Sequence, residues 1–305
     1  MAEKKDQKDY AVGQTEKKKG SDMGVKISVV IASLNSGDVI EQAICSFMEQ
    51  SYRNKELIVI DGGSVDGTPD IIEKYRSGIS VYISEKDRGV YDAFNKGVLR
   101  ASGDYVLFLG ADDSFYNRNA LGKVAKWIAK RDFPDLLSTQ ILYIDKSWAY
   151  IEKKTSLYNW REGIRRKQPM IPHQGLYTKR SILLEHPFSL EYKICSDLEF
   201  YAYCCNTEKR IEYVETVNAY FSRQGLTSKN DSIRNIEEMR ILAAYGEMTG
   251  VDHQKSGMHR KLLRRMEERK IGMLLLIKLR GFRIHNCRNS HCRWCDYNRS
   301  RIFRE

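Results

Sequence analysis

Residues 26 to 113 alternate between strand-like and helix-like segments, and this alternation restricts the possible folds more than any other feature of the chain. Apolar runs rich in β-branched residues, "KISVVIAS" (26–33), "ELIVIDGG" (56–63) and "DYVLFLGADD" (104–113), are typical of buried strands. Between the first two, "SGDVIEQAICSFMEQ" (36–50) places its apolar residues at helical spacing. Strands and helices that alternate in this way predict an α/β fold, with a mostly parallel sheet and helices on both of its faces.

Acidic residues follow the predicted strands at the points where the strands end. Asp61 ends the second strand, Asp87 follows the third, and Asp112 and Asp113 end the fourth. Because ligands of parallel sheets bind at the carboxyl ends of the strands, we expect these carboxylates at one rim. Adjacent carboxylates offer the hard oxygen ligands that Mg²⁺ or Mn²⁺ uses when it bridges to substrate phosphates. The same residues also suit an ordinary Asp-rich turn, so at this point both interpretations stay open.

Two common nucleotide-binding motifs are missing from the sequence. No GxGxxG follows the first strand and GxxxxGK[ST] occurs nowhere, which disfavours a dinucleotide-binding site and a P-loop. A metal-dependent nucleotidyltransferase is an alternative, because such an enzyme also places carboxylates at the rim of an α/β sheet. It usually has a glycine-rich, basic loop after the first strand, whereas "IASLNSGDV" contains no basic residue.

Two long blocks of the sequence are similar to a known family. "VVIASLNSGDVIEQAICSFMEQSYRNKELIVIDGGSVDGT" resembles the opening of the inverting family 2 glycosyltransferases, which have the GT-A fold. "SEKDRGVYDAFNKGVLRASGDYVLFLGADD" resembles the next block of that family, which ends at its metal-binding Asp-x-Asp region. The match covers roughly residues 27–113, with weaker echoes at "HQGLYTK", "CSDLEF" and "FSRQGLTS". The resemblance implies a bacterial polysaccharide-type enzyme that transfers a sugar, with inversion, from a nucleotide diphosphate sugar, a UDP-sugar being favoured.

The resemblance also assigns residues to the donor site. It implies that the nucleotide-sugar is lined by residues from several rim loops: Ala32, Ser33, Asn35, Asp61, Gly62, Gly63, Asp87, Lys96 and Asp112. It further implies that Asp112 and Asp113 hold Mn²⁺ or Mg²⁺. Many relatives carry an acidic or amide residue where this chain has Gly110. Two alternatives stay open here, a turn-capping role for Asp61 and a solvated helix position for Lys96.

On the acceptor side, the resemblance points to one carboxylate. In the family, an Asp at the mouth of the helix that matches "CSDLEF" is the general base, which implies Asp197 in this role. Asp197 is also suited to cap that helix, and Glu199 is the nearest alternative base, although its position favours packing or a salt bridge. His173 and Gln174 begin the acceptor-side loop, where a purely structural His173 is the alternative. The residues implied to close over the diphosphate are Gln224, Gly225 and Ser228.

Positive charge is concentrated at the C-terminal end of the chain. The net charge is +11, and residues 260–305, with 14 Lys/Arg against 4 Asp/Glu, contribute +10 of it. The sequence therefore predicts three parts: a disordered polar tail (1–24), a GT-A catalytic domain (25–228) and a helical, basic extension (229–305).

The basic extension contains an amphipathic stretch, residues 259–282, whose apolar run is too short to span a bilayer. Such a segment suits an anionic membrane surface, where a lipid-linked saccharide or a growing polysaccharide would be the acceptor. A helix packed on the catalytic domain is the alternative. A further alternative is a protein that binds nucleic acid through this tail. Such a protein is expected to have a basic main domain as well, whereas the net charge of residues 27–259 is −1.

The cysteine content and the N-terminal sequence predict a cytoplasmic protein, peripheral on the cytoplasmic face of the membrane. The chain has seven Cys, an odd number that does not suggest a disulfide framework, and its first residues contain no apolar signal segment. A Cys/His cluster at 285–295 has one Cys-x-x-Cys pair that could bind Zn²⁺, but the second pair of a common zinc site is missing.

Overall fold

A computed structural model describes residues 24–145, 148–151, 172–222, 231–245 and 283–284. Its strands are β1 (Ile27–Ser33), β2 (Lys55–Asp61), β3 (Val81–Ser84), β4 (Tyr105–Gly110), β5 (Ser114–Phe115), β6 (Leu136–Asp145), β7 (Trp148–Ile151), β8 (Leu176–Lys179), β9 (Ile211–Ser222) and β10 (Arg283–Ile284). Its α-helices are α1 (Ile40–Met48), α2 (Thr68–Lys74), α3 (Val90–Arg100), α4 (Ala120–Lys130), α5 (Arg180–Glu185), α6 (Ser196–Asn206) and α7 (Asp231–Tyr245).

Several predicted features lie outside the described residues. They are nearly all of the N-terminal tail, the residues implied to close over the diphosphate, the amphipathic basic stretch and the Cys/His cluster. Within the described ranges, no helix is both long and apolar enough to cross a membrane.

The sheet combines a parallel half with an antiparallel half. Strands β4, β1, β2 and β3 are neighbours in that order and all run parallel, as the alternating pattern predicts. Beyond β4 the order continues β8, β6, β7, and each of these strands runs antiparallel to its neighbour. The complete sheet is therefore mixed rather than mostly parallel, because β8 returns beside β4 in the opposite direction. Strand β9 pairs with β6 in parallel and with β5 antiparallel.

Apolar side chains fill both faces of the parallel half. Strands β1, β2 and β4 are buried almost throughout, which explains their near-continuous apolar sequences. Helix α3 covers one face, while α1 and α4 cover the other. Because all the hydrogen-bonding edges of these central strands are paired, their carboxyl ends are held in a fixed arrangement, and the loops that follow them form one rim.

A buried carboxylate ties the opposite end of the parallel half together. Glu56 on β2 accepts hydrogen bonds from the Ser28 hydroxyl (2.5 Å), the Ser102 amide (2.6 Å) and hydroxyl (2.7 Å), and the Gly103 amide (3.1 Å). Lys26 lies 2.9 Å from its second oxygen. Burial by itself raises the pKa of Glu56, but these donors outweigh burial and lower the pKa from 4.5 to about 2. Glu56 thus joins β1, β2 and the turn before β4.

We expect Glu56→Gln to lower the free energy of unfolding by about 3 kcal/mol at pH 7, because a shift of one pKa unit corresponds to about 1.4 kcal/mol. A lowered native pKa stabilises the fold above the unfolded pKa, and this contribution is lost as pH falls from about 4.5 towards 2. Urea unfolding should therefore show a large difference between variant and wild type at pH 7 and a smaller one at pH 3. Glu73→Gln, at an exposed position of α2, is the control. An equal difference at both pH values would contradict the prediction.

Candidate active site

The ends of β1, β2 and β4 meet at one rim of the sheet, where most of the predicted donor-site residues lie. Ser33 is opposite Asp61 in the register of β1 and β2, and Ala32 is opposite Gly110 in the register of β1 and β4. The Gly62 amide donates to the Ser33 carbonyl at 2.8 Å, which continues the pairing one step beyond the strands. The structure therefore brings together side chains and backbone that are far apart in the sequence.

Asp61 is fully buried at this rim, and its carboxylate is surrounded by serine donors. It accepts from the Ser64 amide (2.9 Å) and hydroxyl, from the Ser84 hydroxyl (2.7 Å) and from the Ser33 hydroxyl (3.1 Å). Burial raises the pKa of Asp61, but these hydrogen bonds outweigh burial and lower the pKa below its usual value. The turn-capping role is therefore present in the structure, and a contact of Asp61 with the base or ribose stays a prediction.

Asn35 links the loop after β1 to the loop after β2. It has a positive φ of 48°, a conformation that Asn tolerates better than most residues. Its amide donates to the Ser64 hydroxyl at 2.8 Å, and its side-chain oxygen accepts from the Val65 amide at 3.0 Å. Gly63, the residue before Ser64, also has a positive φ, of 83°. These hydrogen bonds hold the two exposed loops together beside Asp61.

Asp87 and Lys96 lie on the far side of the same rim. The Asp87 carboxylate accepts from the Gly89 amide at 2.8 Å, before the start of α3. It also packs against Gly62, where an added Cβ would lie only 2.6 Å from Asp87 Oδ2. Lys96 Nζ is 2.8 Å from Glu85 and 3.6 Å from Asp92, so Lys96 is held in an ion-pair cluster and is not a free solvated lysine.

Asp112 and Asp113 lie together at the end of β4. Asp113 is buried, and its two oxygens accept from the Ser222 amide (2.9 Å) and the Gly110 amide (3.0 Å). Burial and the charge of Asp112 raise the pKa of Asp113 to about 7. Burial also raises the pKa of half-buried Asp112, whose oxygen is bonded to the Ser222 side chain. Within the described ranges, no lysine or arginine forms an ion pair with either carboxylate.

This pair of carboxylates fits a hard divalent cation, although the described residues include no group of three or more metal-type side chains. Beside Asp113 lies Gln174, whose buried side-chain oxygen Oε1 has no hydrogen-bond partner. Uncompensated carboxylates and an unpartnered carbonyl oxygen are the donors that Mg²⁺ and Mn²⁺ prefer. Because backbone amides occupy both oxygens of Asp113, Asp112 is the residue better placed to hold the ion. A ligand role for Asp113 stays a prediction.

Gly110 leaves room for the Asp113 carboxylate. A Cβ at this position would lie 2.5 Å from Asp113 Oδ2 and 3.0 Å from Asp112 Oδ1. The acidic or amide residue of many relatives therefore has no space here unless Asp113 moves.

We expect Gly110→Ala to lower the free energy of unfolding by about 1–3 kcal/mol, the usual cost of forcing extra volume into a packed site. The displaced carboxylate should also weaken Mn²⁺-dependent binding of UDP. Urea unfolding and calorimetry measure the two effects. The control is Gly67→Ala, because an added Cβ at Gly67 meets nothing within 4 Å and its φ is −70°. Equal stability and UDP binding of the two variants would contradict the prediction.

Asp197 lies at the second residue of α6, partly exposed, and is held from two sides. Its Oδ2 is 3.1 Å from His173 Nδ1, and its Oδ1 is 3.0 Å from the Tyr91 hydroxyl. The N-cap residue of the helix is Cys195, which makes no side-chain cap, but Asp197 Oδ1 also accepts from the Leu198 amide at 2.9 Å, so the alternative capping role of Asp197 is partly present in the structure. Glu199, two residues further into α6, is buried and 3.1 Å from His186, which matches its expected role in packing and a salt bridge.

Tyr91 was not among the sequence-predicted residues. It is a buried residue of α3, and burial together with the charge of Asp197 holds its pKa well above 10. It therefore keeps its proton at neutral pH, and the Ile194 carbonyl and Asp197 Oδ1 share this single O–H donor. The only signal in the sequence is a polar aromatic residue on the apolar face of this helix, a pattern that packing alone also explains.

His173 and Gln174 join the two carboxylate groups of the site. His173 Nδ1 lies 3.1 Å from Asp197 Oδ2. Gln174, next to it, is bonded to Asp113. The predicted metal residues, the predicted base and the predicted acceptor-side residues therefore lie close together.

Comparisons with known proteins agree with this arrangement. The family model described as "Glycosyl transferase family 2" matches residues 28–182. The PGL/p-HBAD biosynthesis glycosyltransferase of Mycobacterium bovis is 28% identical over 207 residues, which cover 65% of this chain and 77% of the relative.

Solved structures show the same fold at lower identity. TarS 1-349 of S. aureus, in complex with UDP-GlcNAc, is 21% identical with a TM-score of 0.59, and the match covers 76% of this chain and 69% of TarS 1-349. The chain spans only 45% of a longer TarS chain. The mannosyltransferase PcManGT of Pyrobaculum calidifontis, in complex with GDP-Man and Mn²⁺, is 18% identical with a TM-score of 0.54, covering 74% of this chain and 67% of PcManGT. The predicted α/β fold of the GT-A type is therefore confirmed.

Proposed function

The chain belongs to glycosyltransferase family 2, and we propose that it transfers a sugar from a nucleotide diphosphate sugar to an acceptor hydroxyl, with inversion at the anomeric carbon. The observation that carries this proposal is the bonding of two consecutive residues: His173 Nδ1 lies 3.1 Å from Asp197 Oδ2, and the Gln174 side chain is bonded to Asp113. The proposed base and the proposed metal residues are thus linked through neighbouring residues, which keeps the acceptor and donor halves of the proposed site close together. Membership of the family favours glycosyl transfer over the nucleotidyltransferase and nucleic-acid-binding alternatives.

Asp197 acts as the general base in this proposal. Direct displacement needs a carboxylate on the face opposite the leaving nucleotide, within hydrogen-bond reach of the acceptor hydroxyl. Asp197 is partly exposed, and its contacts with Tyr91 and His173 fix the carboxylate plane. No covalent intermediate with the enzyme is needed.

The donor half of the site is proposed to bind the nucleotide and a divalent metal. Asp112, with Asp113 beside it, would hold Mn²⁺ or Mg²⁺, which offsets negative charge on the departing diphosphate when it is bound. The rim loops from β1 and β2, with Asp87 and Lys96, would line the nucleotide. The complexes of the similar structures, UDP-GlcNAc in TarS and GDP-Man with Mn²⁺ in PcManGT, support a sugar nucleotide as donor, and we favour a UDP-sugar.

The proposed acceptor is a saccharide, either lipid-linked or part of a growing polysaccharide of the cell envelope. The mycobacterial relative is named for PGL/p-HBAD biosynthesis, which supports an envelope substrate. We further propose that residues 25–228 form the catalytic domain and that the basic stretch at 259–282 contacts an anionic membrane surface on the cytoplasmic side. Flotation with vesicles that contain or lack phosphatidylglycerol tests this contact.

A panel of sugar nucleotides tests the donor and the reaction together. UDP-sugars and GDP-Man, each with Mn²⁺ and with EDTA, would be screened for an increase in Tm, since a ligand that binds the native state raises stability. Donors that raise the Tm would then be assayed with lipid-linked and free saccharide acceptors. We expect at least one UDP-sugar to stabilise the protein in the presence of Mn²⁺ and to be consumed only when acceptor is present. If no sugar nucleotide binds, the proposed function is wrong.

A further inference from the structure

A further buried carboxylate, Glu237, lies behind the start of α6. Glu237, on α7, is only 4% exposed. It accepts hydrogen bonds from three consecutive backbone amides: Lys193 (2.7 Å), Ile194 (2.9 Å) and Cys195 (2.9 Å). In the described part of the chain, no lysine, arginine or histidine pairs with it. Backbone amides that point to one spot bind anions, so Glu237 has the place that a free anion would otherwise take.

These three amides belong to the segment that leads into the helix of Asp197. Helix α6 begins at Ser196, directly after its N-cap residue Cys195, and Asp197 Oδ1 accepts from the Leu198 amide of the first turn at 2.9 Å. The amides at a helix start lack partners within the helix. Glu237 supplies from another helix an acceptor for the Cys195 amide and for the two amides before it, and so holds the segment that enters α6.

Tyr91 holds the same segment from the opposite side. Its hydroxyl is 2.6 Å from the carbonyl oxygen of Ile194 and 3.0 Å from Asp197 Oδ1. Ile194 is thus bonded through its amide to Glu237 and through its carbonyl to Tyr91. The Tyr91 ring is buried and packs 5.4 Å from the ring of Phe188, so the hydroxyl has a fixed position.

Apolar contacts keep α7 on α6 without help from Glu237. Ile241 and Leu242 of α7 are buried in one cluster with Leu198 and Ala202 of α6. A charge-neutral replacement of Glu237 should therefore leave the two helices packed together and change only the polar contacts at the start of α6.

We infer that Glu237 and Tyr91 are positioning residues for Asp197, an inference that rests on the proposed function. Asp197 is the second residue of α6, so the entry segment 193–195 sets the place of its carboxylate. Two helices hold this segment: α3, next to the nucleotide rim, and α7, which lies beyond the residues matched by the family model. The C-terminal part of the chain, by this inference, contributes to the active site through Glu237.

The test compares Glu237→Gln and Tyr91→Phe with two matched controls. Glu191→Gln removes an exposed carboxylate that pairs with Arg240 of the same helix α7 at 3.2 Å. Tyr203→Phe removes a hydroxyl on α6 that donates to Glu185, away from Asp197. A shift of about 1 Å in a catalytic group can lower a rate about 100-fold, so we expect kcat to fall roughly 10- to 100-fold in both test variants. The KM for the donor and the Kd for UDP should stay within about twofold of wild type.

A double-mutant cycle separates positioning from general stability. In an Asp197→Asn background, Glu237→Gln should lower kcat by no more than about twofold further, because the base that it positions is already lost. A residue with a merely structural role would lower the rate in both backgrounds alike.

Amide hydrogen exchange adds a readout that needs no substrate. Residues 193–195 should exchange faster in Glu237→Gln than in wild type, while the amides of α3 stay unchanged. If Asp197→Asn is inactive but both test variants transfer sugar like wild type, the inference is wrong and the proposed function stands. If the wild type transfers no sugar from any donor, the proposed function is wrong, and unchanged exchange at 193–195 would then reject the inference as well.

Discussion

Asp197→Asn is expected to stop sugar transfer while leaving the binding of UDP intact. An amide cannot take the proton of the acceptor hydroxyl, and general bases typically contribute 10²- to 10⁴-fold to a rate, so kcat should fall by about that factor. The amide has nearly the shape of the carboxylate and keeps an oxygen that can accept from Tyr91. Because Asp197 is partly exposed, the variant should also fold normally. The rate of transfer and calorimetry with UDP and Mn²⁺ measure the two halves of this prediction.

The control for this variant is Asp70→Asn, at an exposed position of α2. It should transfer sugar at the wild-type rate. A transfer rate of the Asp197→Asn variant above about one tenth of wild type would show that another group takes the proton. His173 would then be the next residue to test, because it lies beside Asp197.

The parallel half of the fold could be predicted from the sequence because its signals are local. The apolar runs that became β1, β2 and β4 are buried on both faces, and each is followed by a residue of the rim. The antiparallel half could not be predicted in the same way. Strand β8 is only four residues long, and its place between β4 and β6 depends on partners about 40 to 70 residues earlier in the chain.

The candidate site likewise has residues that could be predicted from the sequence and residues that could not. Asp112 and Asp197 are polar residues at the ends of regular elements, a pattern that a sequence displays. The direction in which each side chain points could not be predicted from the sequence. Asp61 is at the predicted place, but its carboxylate points inward and accepts hydrogen bonds from three serines. Tyr91 and Glu237 gave no usable signal, because each is a polar residue within a helix. Their role depends on the backbone groups of 193–195, which only the folded chain brings to them.

Asp112→Asn is expected to remove most of the Mn²⁺-dependent affinity for UDP, by about 100-fold, because a neutral amide is a much weaker ligand for a hard cation. The carboxylate has no lysine or arginine partner within the described ranges, and burial raises its pKa, so it is already poorly stabilised without a cation. Removing this charge should therefore not destabilise the protein, and it should relieve the repulsion that raises the pKa of Asp113. Calorimetry with UDP in the presence of Mn²⁺ or EDTA measures the affinity, and thermal unfolding measures the stability.

Asp113→Asn is the informative comparison, because it should lose UDP binding for a different reason. Both Asp113 oxygens accept from backbone amides, and an asparagine would turn an NH₂ group towards the Ser222 or the Gly110 amide. An unsatisfied buried donor costs about 1–3 kcal/mol, so this variant should be less stable as well as weaker in binding. A stable Asp112→Asn variant with weak binding and an unstable Asp113→Asn variant would assign the metal to Asp112. If the Asp112→Asn variant binds UDP and Mn²⁺ like wild type, the donor site has been placed on the wrong carboxylate.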